Sequence, residues 1–89
     1  MPIETIHYEL FGLEVEKMEN KKDKNFLGET WKSAIVEINE LISENKTEEE
    51  MKEFIYDSSN YPNIKKYEIA LYHMKNALFN YAKLSILIK

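Results

Sequence analysis

The sequence predicts an all-α protein: a long helical hairpin with a short N-terminal element and an extra short capped helix, assembled as a homo-oligomer. Three observations carry this reading. Apolar residues recur at three- and four-residue spacing over two long stretches. A reciprocal helix-capping pattern stands between those stretches. The second stretch also carries more apolar surface than a chain of 89 residues can cover with its own helices.

The elements follow in order. In the first 27 residues Ile3, Ile6, Leu10 and Leu13 suit a short helix, while Ile6, Tyr8 and Leu10, then Leu13 and Val15, also suit two extended pieces around Gly12; helix is the preferred reading. Asn20-Lys21-Lys22-Asp23-Lys24-Asn25 reads as a polar connector. Trp31, Ala34, Ile35, Ile38, Leu41 and Ile42 then mark one face of a helix over residues 28–44. Thr47 with Glu50 three residues on forms a capping box, in which each side chain satisfies the other residue's free N–H, and it opens a short helix over 48–57 with Met51, Phe54 and Ile55 inward. Residues 57–62 read as a turn, and Pro62 suits the first position of a helix that runs to the end of the chain. Ile64, Tyr67, Leu71, Met74, Leu78 and Tyr81 give that helix a coiled-coil-like seam. Ile69, Tyr72, Phe79, Leu84, Ile86, Leu87 and Ile88 spread apolar surface around the rest of its circumference, which predicts self-association.

Composition narrows the function classes. A single domain of this size buries only about 60 to 65% of its unfolded surface, so it needs help to be stable. Cysteine is absent and the two histidines lie far apart, so neither disulfides nor a metal site is expected to supply that help, and no cofactor is expected. The N-terminus lacks a basic segment followed by an apolar run, and nowhere do eighteen apolar residues follow one another; the expected location is cytoplasm. The sequon Asn45-Lys46-Thr47 then reads as a loop before a helix. All twelve basic residues are lysine, which removes the bidentate fork that reads guanine, so duplex DNA is not an expected partner. No membrane partner is expected either, because the lysines of the last helix sit on several faces. The net charge of −4 is unevenly spread: residues 28–57 carry −6 and residues 58–89 carry +4.

No set of residues able to run a reaction stands out, and the chain reads as a binding protein. The serines lie in turns or on a helix, and neither histidine has an evident orienting carboxylate. Glu48-Glu49-Glu50 is explained by the dipole at a helix N-terminus, and His73 by packing on the last helix; the role of His7 stays open. The informative feature is an anion-binding opportunity beside aromatic rings. Lys21, Lys22 and Lys24 cluster before a helix start, with Asn25 beside them, and Lys65 and Lys66 stand in the expected first turn of the last helix, where lysine opposes the dipole. The Glu-rich short helix is the plain alternative partner for that second pair. Tyr8, Trp31 and Tyr61 lie near these lysines in sequence and offer flat faces on which a base can stack.

Ala70-Leu71-Tyr72-His73-Met74-Lys75-Asn76-Ala77-Leu78-Phe79-Asn80-Tyr81-Ala82 resembles the last helix of the phage anti-CBASS cyclic-nucleotide sponges. Trp31-Lys32-Ser33-Ala34-Ile35 is similar to the start of that family's preceding helix, and His7-Tyr8 inverts its N-terminal aromatic-histidine pair. The chain departs from the pattern in having no arginine, in placing Asn80 at a tryptophan position, and in inserting the capped helix. The resemblance implies capture of cyclic dinucleotides such as cyclic GMP-AMP, or of trinucleotides, by a symmetric homo-oligomer, a hexamer being one candidate size, in the host cell cytoplasm. It further implies that Tyr8 stacks on a nucleobase and that Lys22 or Lys24 meets a phosphate. The expected ligand-binding set is therefore Tyr8, Lys22, Lys24, Asn25 and Lys66. The rival reading is a small acidic inhibitor or immunity protein that blocks a basic toxin or nuclease, presenting Glu37, Glu40, Glu44 and Glu53 on an open face.

Overall fold

In the computed structural model, which describes residues 3–57 and 67–88 with side chains from Ile6 onward, every regular element is a helix. These are α1 (Ile3–Glu16), α2 (Lys21–Ser43), α3 (Glu48–Tyr56) and α4 (Glu68–Leu87). The N-terminal segment is thus helical, and the extended alternative around Gly12 does not occur. α3 starts where the capping box places it, with the Glu50 N–H donating to Thr47 Oγ1 at 3.1 Å and the Thr47 N–H donating to Glu50 Oε1 at 3.2 Å.

The first long helix departs from expectation at its start. α2 begins at Lys21, seven residues before the expected Gly28, so the polar connector is largely the first turn of a helix. Asn20 is the reason: its side chain accepts from the Lys22 N–H at 2.8 Å and satisfies a donor that a helix start leaves open. Leu27 lies two and three turns ahead of Ala34 and Ile38 on the same face, and its burial holds the early turns down. The other end follows helix chemistry closely. Asn45 takes a φ of 63°, the Asn45 N–H reaches Ile42 O, and the Lys46 N–H reaches Leu41 O at 3.1 Å, the paired bonds of a Schellman motif. The sequon asparagine therefore closes α2.

α4 is the axis of the molecule and packs on all three other helices, most extensively on α1. Its inward face presents Tyr67, Ala70, Leu71, Met74, Ala77, Leu78 and Ala82, all buried. Leu27, Ile38, Met51, Ile55, Met74 and Leu78 are the largest side chains removed completely from solvent, so α2, α3 and α4 meet in one core. The alanines on α4 leave room for close approach, and two hydrogen bonds pin the neighbours: Tyr81 Oη donates to Asn39 Oδ1 of α2 and Tyr56 Oη to Asn76 Oδ1, each at 2.6 Å. Ile64 and Pro62, and with them the expected start of the last helix, lie outside the described residues. The molecule is a slab, 39 × 31 × 17 Å, and no described helix is long and apolar enough to cross a membrane. A slab one to two helices thick covers only one side of each helix.

Candidate functional site

An aromatic step joins the middle of α1 to the middle of α2. Tyr8 and Phe11 are three residues apart on α1, which places both on one helix face. Both meet Trp31 of α2. Phe11 stacks on the indole, with centroids 5.6 Å apart and planes 20° apart, while Tyr8 stands edge-on to it at 5.5 Å and 64°. Phe11 is buried and Trp31 half-buried, but Tyr8 remains 56% exposed. The Phe11–Trp31 stack therefore holds a tyrosine ring more than half exposed at the surface.

The lysines stand apart from that step by a distance the helix fixes. Lys24 precedes Trp31 by seven residues, two turns and about 10 Å of rise, on the same face of α2. Lys22 precedes it by nine residues and lies on the opposite face, so Tyr8 and Lys24 share a side of the molecule that Lys22 does not. Asn25 follows Lys24 around the helix, and all three side chains are exposed. The Lys22 N–H is already taken by Asn20, and Asp23 supplies an acid in the first turn. Lys21, Lys22 and Lys24 thus lie inside the first turn rather than before it, where the helix dipole opposes them. Lys65, Lys66 and Tyr61 lie outside the described residues.

Among the described residues no group of three His, Asp or Glu side chains could hold a metal ion. His7 and His73 each bury Nδ1 without a hydrogen-bond partner, and His73 packs edge-on against Tyr72 at 5.4 Å. On the other side of the molecule Glu37, Glu40 and Glu44 form a row on the outer face of α2. All three are exposed, as is Glu53, and no described cation pairs with the row.

Two features escaped the sequence reading. Phe11 was not singled out, although its three-residue spacing from Tyr8 is a usable signal. The second is a ring cluster between α3 and α4, in which Tyr56 meets Phe79 edge-on at 5.9 Å and Lys52 and Lys83 hold their ammonium groups 5.9 and 5.1 Å from the Phe79 centroid. Burial, with Tyr72 close by, pushes the Tyr56 hydroxyl above its ordinary pKa. Nothing local in the sequence links residues 56 and 79. Comparison of the chain with protein-family models, with curated proteins and with solved structures finds no match.

Proposed function

We propose that this protein binds and sequesters cyclic oligonucleotide messengers, cyclic dinucleotides such as cyclic GMP-AMP and also cyclic trinucleotides, without catalysis. The observation that carries the reading is the exposed Tyr8 ring propped on the Trp31–Phe11 stack, with Lys24 two turns away on the same side. A base stacks on the ring, a phosphate meets the ammonium group, and Asn25 adds a polar contact at the rim. The roughly 10 Å between ring and charge suits a ligand that spans both rather than a lone phosphate. Nanomolar capture corresponds to about −12 kcal/mol, more than one stacked ring and one exposed charge supply. The site is therefore completed by a second copy, in the symmetric homo-oligomer and paired long helices that the resemblance implies. Capture of this kind would silence a nucleotide-signalled host defence of the CBASS type.

Calorimetric titration with cyclic GMP-AMP tests the reading. Tyr8→Ala should weaken binding about tenfold to a hundredfold, and Tyr8→Phe should leave it nearly unchanged, since stacking uses the ring and not the hydroxyl. Lys24→Ala should lose a charge-assisted contact of similar worth, whereas Lys22→Ala, on the opposite face, should shift affinity little. A folded Tyr8→Ala protein that binds as tightly as wild type overturns the site, and a wild type that binds no cyclic nucleotide overturns the function.

The second reading, an inhibitor of a basic protein, rests on the open row of Glu37, Glu40 and Glu44 with Glu53 beyond it. Uncompensated carboxylates along one helix steer a cationic partner. A basic nuclease domain that raises the melting temperature, where cyclic nucleotides leave it unmoved, would favour this reading.

A further inference from the structure

The chain has two glycines, and both stand inside helices, Gly12 in α1 and Gly28 in α2. Glycine is the weakest helix former after proline, so a glycine in a helix interior needs a cause. The usual causes do not apply to these two. Neither has a positive φ, and neither sits at a helix end. Neither lets another helix approach closely, because a Cβ built on either meets nothing within 4 Å. Both are nevertheless only partly exposed, so the bare main chain at each is shielded from the sides while the space a side chain would fill stays empty.

Those spaces lie between the aromatic step and Lys24. α1 and α2 are joined through residues 17–20, so later residues of α1 and earlier residues of α2 both lie nearer that connection. Gly12 follows Tyr8 by four residues on the same face of α1. Gly28 follows Lys24 by four residues and precedes Trp31 by three on α2. The rise of about 10 Å from Lys24 to Trp31 therefore passes Gly28, about 6 Å beyond Lys24 and about 4.5 Å short of Trp31, and Gly12 stands one turn from Tyr8 toward the same connection.

We propose that Gly12 and Gly28 are contact residues of the nucleotide site, keeping the stretch between ring and charge free of side chains so that the sugar of a cyclic nucleotide lies directly on helix main chain. This assignment rests on the reading of Tyr8 and Lys24 as the two ends of that site. A base on the Tyr8 ring and a phosphate at Lys24 leave the sugar between them, where glycine alone lets a ligand come close to the backbone. A Cβ at Gly28 would occupy space that the sugar needs and that the fold leaves empty. Stability is given up at both positions for binding, since the fold itself does not require either glycine.

Larger residues at these positions separate folding from binding. Gly28→Ala and Gly28→Leu place good helix formers where there is room for them, so both should melt above wild type. Calorimetric titration with cyclic GMP-AMP should nonetheless show affinity falling with side-chain size, by about fivefold to a hundredfold for Gly28→Leu, the range for overfilling a fitted space. Gly12→Leu should behave likewise. Ser33→Leu adds the same side chain at an exposed position about 200° around α2 from Trp31 and should leave affinity unchanged. Gly12→Leu and Gly28→Leu proteins that bind as tightly as wild type, while Tyr8→Ala binds more weakly, overturn this assignment and leave the ring and lysine in place. Equal losses in Gly28→Leu and Ser33→Leu also overturn it, as does a lower melting temperature in both Gly12→Ala and Gly28→Ala, which would mean that the fold needs the glycines. A wild type that binds no cyclic nucleotide removes the whole site, and this assignment with it.

Discussion

Leu78 and Leu84 stand six residues apart on α4, and truncating each to alanine separates what folds the chain from what lies on its surface. Leu78 is fully buried among side chains of α2, α3 and α4, whereas Leu84 is 47% exposed. Leu78→Ala removes apolar atoms from a closed core and leaves a cavity, a loss of about 2.7 to 5 kcal/mol. A domain of this size holds roughly 4 to 13 kcal/mol in total, so the variant forfeits a large share of its stability. At about 4 to 8 °C per kcal/mol, its melting temperature should fall by more than 10 °C. Leu84→Ala loses the same groups from a half-open position, worth about 1 kcal/mol at 0.8 kcal/mol per buried methylene. Urea unfolding followed by circular dichroism reads both values, and repeating it over a hundredfold range of protein concentration separates folding from assembly. Equal losses at the two positions, or a loss at Leu78 below about 1.5 kcal/mol, would refute the assignment of α4's inward face.

Two further predictions follow from local structure. Gly12 and Gly28 sit inside helices, neither has a positive φ, and a Cβ added to either meets nothing within 4 Å; Gly12→Ala and Gly28→Ala should therefore each stabilise the fold by about 0.5 to 1 kcal/mol, and a loss in thermal unfolding would contradict the space seen at these positions. The backbone N–H of Thr47 donates to Glu50 and holds its carboxyl below the usual 4.5, so the capping box contributes most above that value and fades as the pH falls through the lower native one. Wild type should thus lose more stability than Glu50→Gln between about pH 6 and about pH 3, because glutamine keeps an acceptor that does not titrate; parallel stability curves would show that the carboxylate adds nothing.

The elements legible in the sequence were those whose signals are local. The Thr47–Glu50 box and the Ala34–Ile38 periodicity fix α3 and the middle of α2 because both partners lie within one or two turns. The start of α2 was missed because lysine-rich composition resembles a connector; a single cap at Asn20 and the burial of Leu27 outweigh that composition. The N-terminal segment was ambiguous for a related reason. Its apolar residues suit two periods at once, and tertiary packing on α4 selects the helix. At the candidate site Tyr8 and Trp31 were each readable as flat rings near the lysines in sequence, but their contact, and Phe11 stacked on Trp31, depend on how α2 returns along α1.

On the proposed reading, the helical start of α2 also decides which lysine a ligand meets. Had residues 20–25 formed a flexible connector, Lys22 and Lys24 would be interchangeable, each free to reach a phosphate beside Tyr8. A helix from Lys21 removes this freedom, because two residues along a helix turn a side chain by about 200°. Lys24 is held on the Trp31 side and Lys22 is turned away from it. On the proposed reading the same packing bears on the cost of binding: the ring held by Trp31 and Phe11 loses little freedom when a ligand arrives, whereas the exposed Lys24 side chain still gives up about 0.5 to 1.5 kcal/mol of rotamer freedom. What one copy lacks is enclosure, since Tyr8 lies on an open surface of a thin slab. Affinity for a cyclic nucleotide should therefore depend on assembly more steeply than on any one contact, and a variant that stays monomeric should bind far more weakly than Tyr8→Ala does.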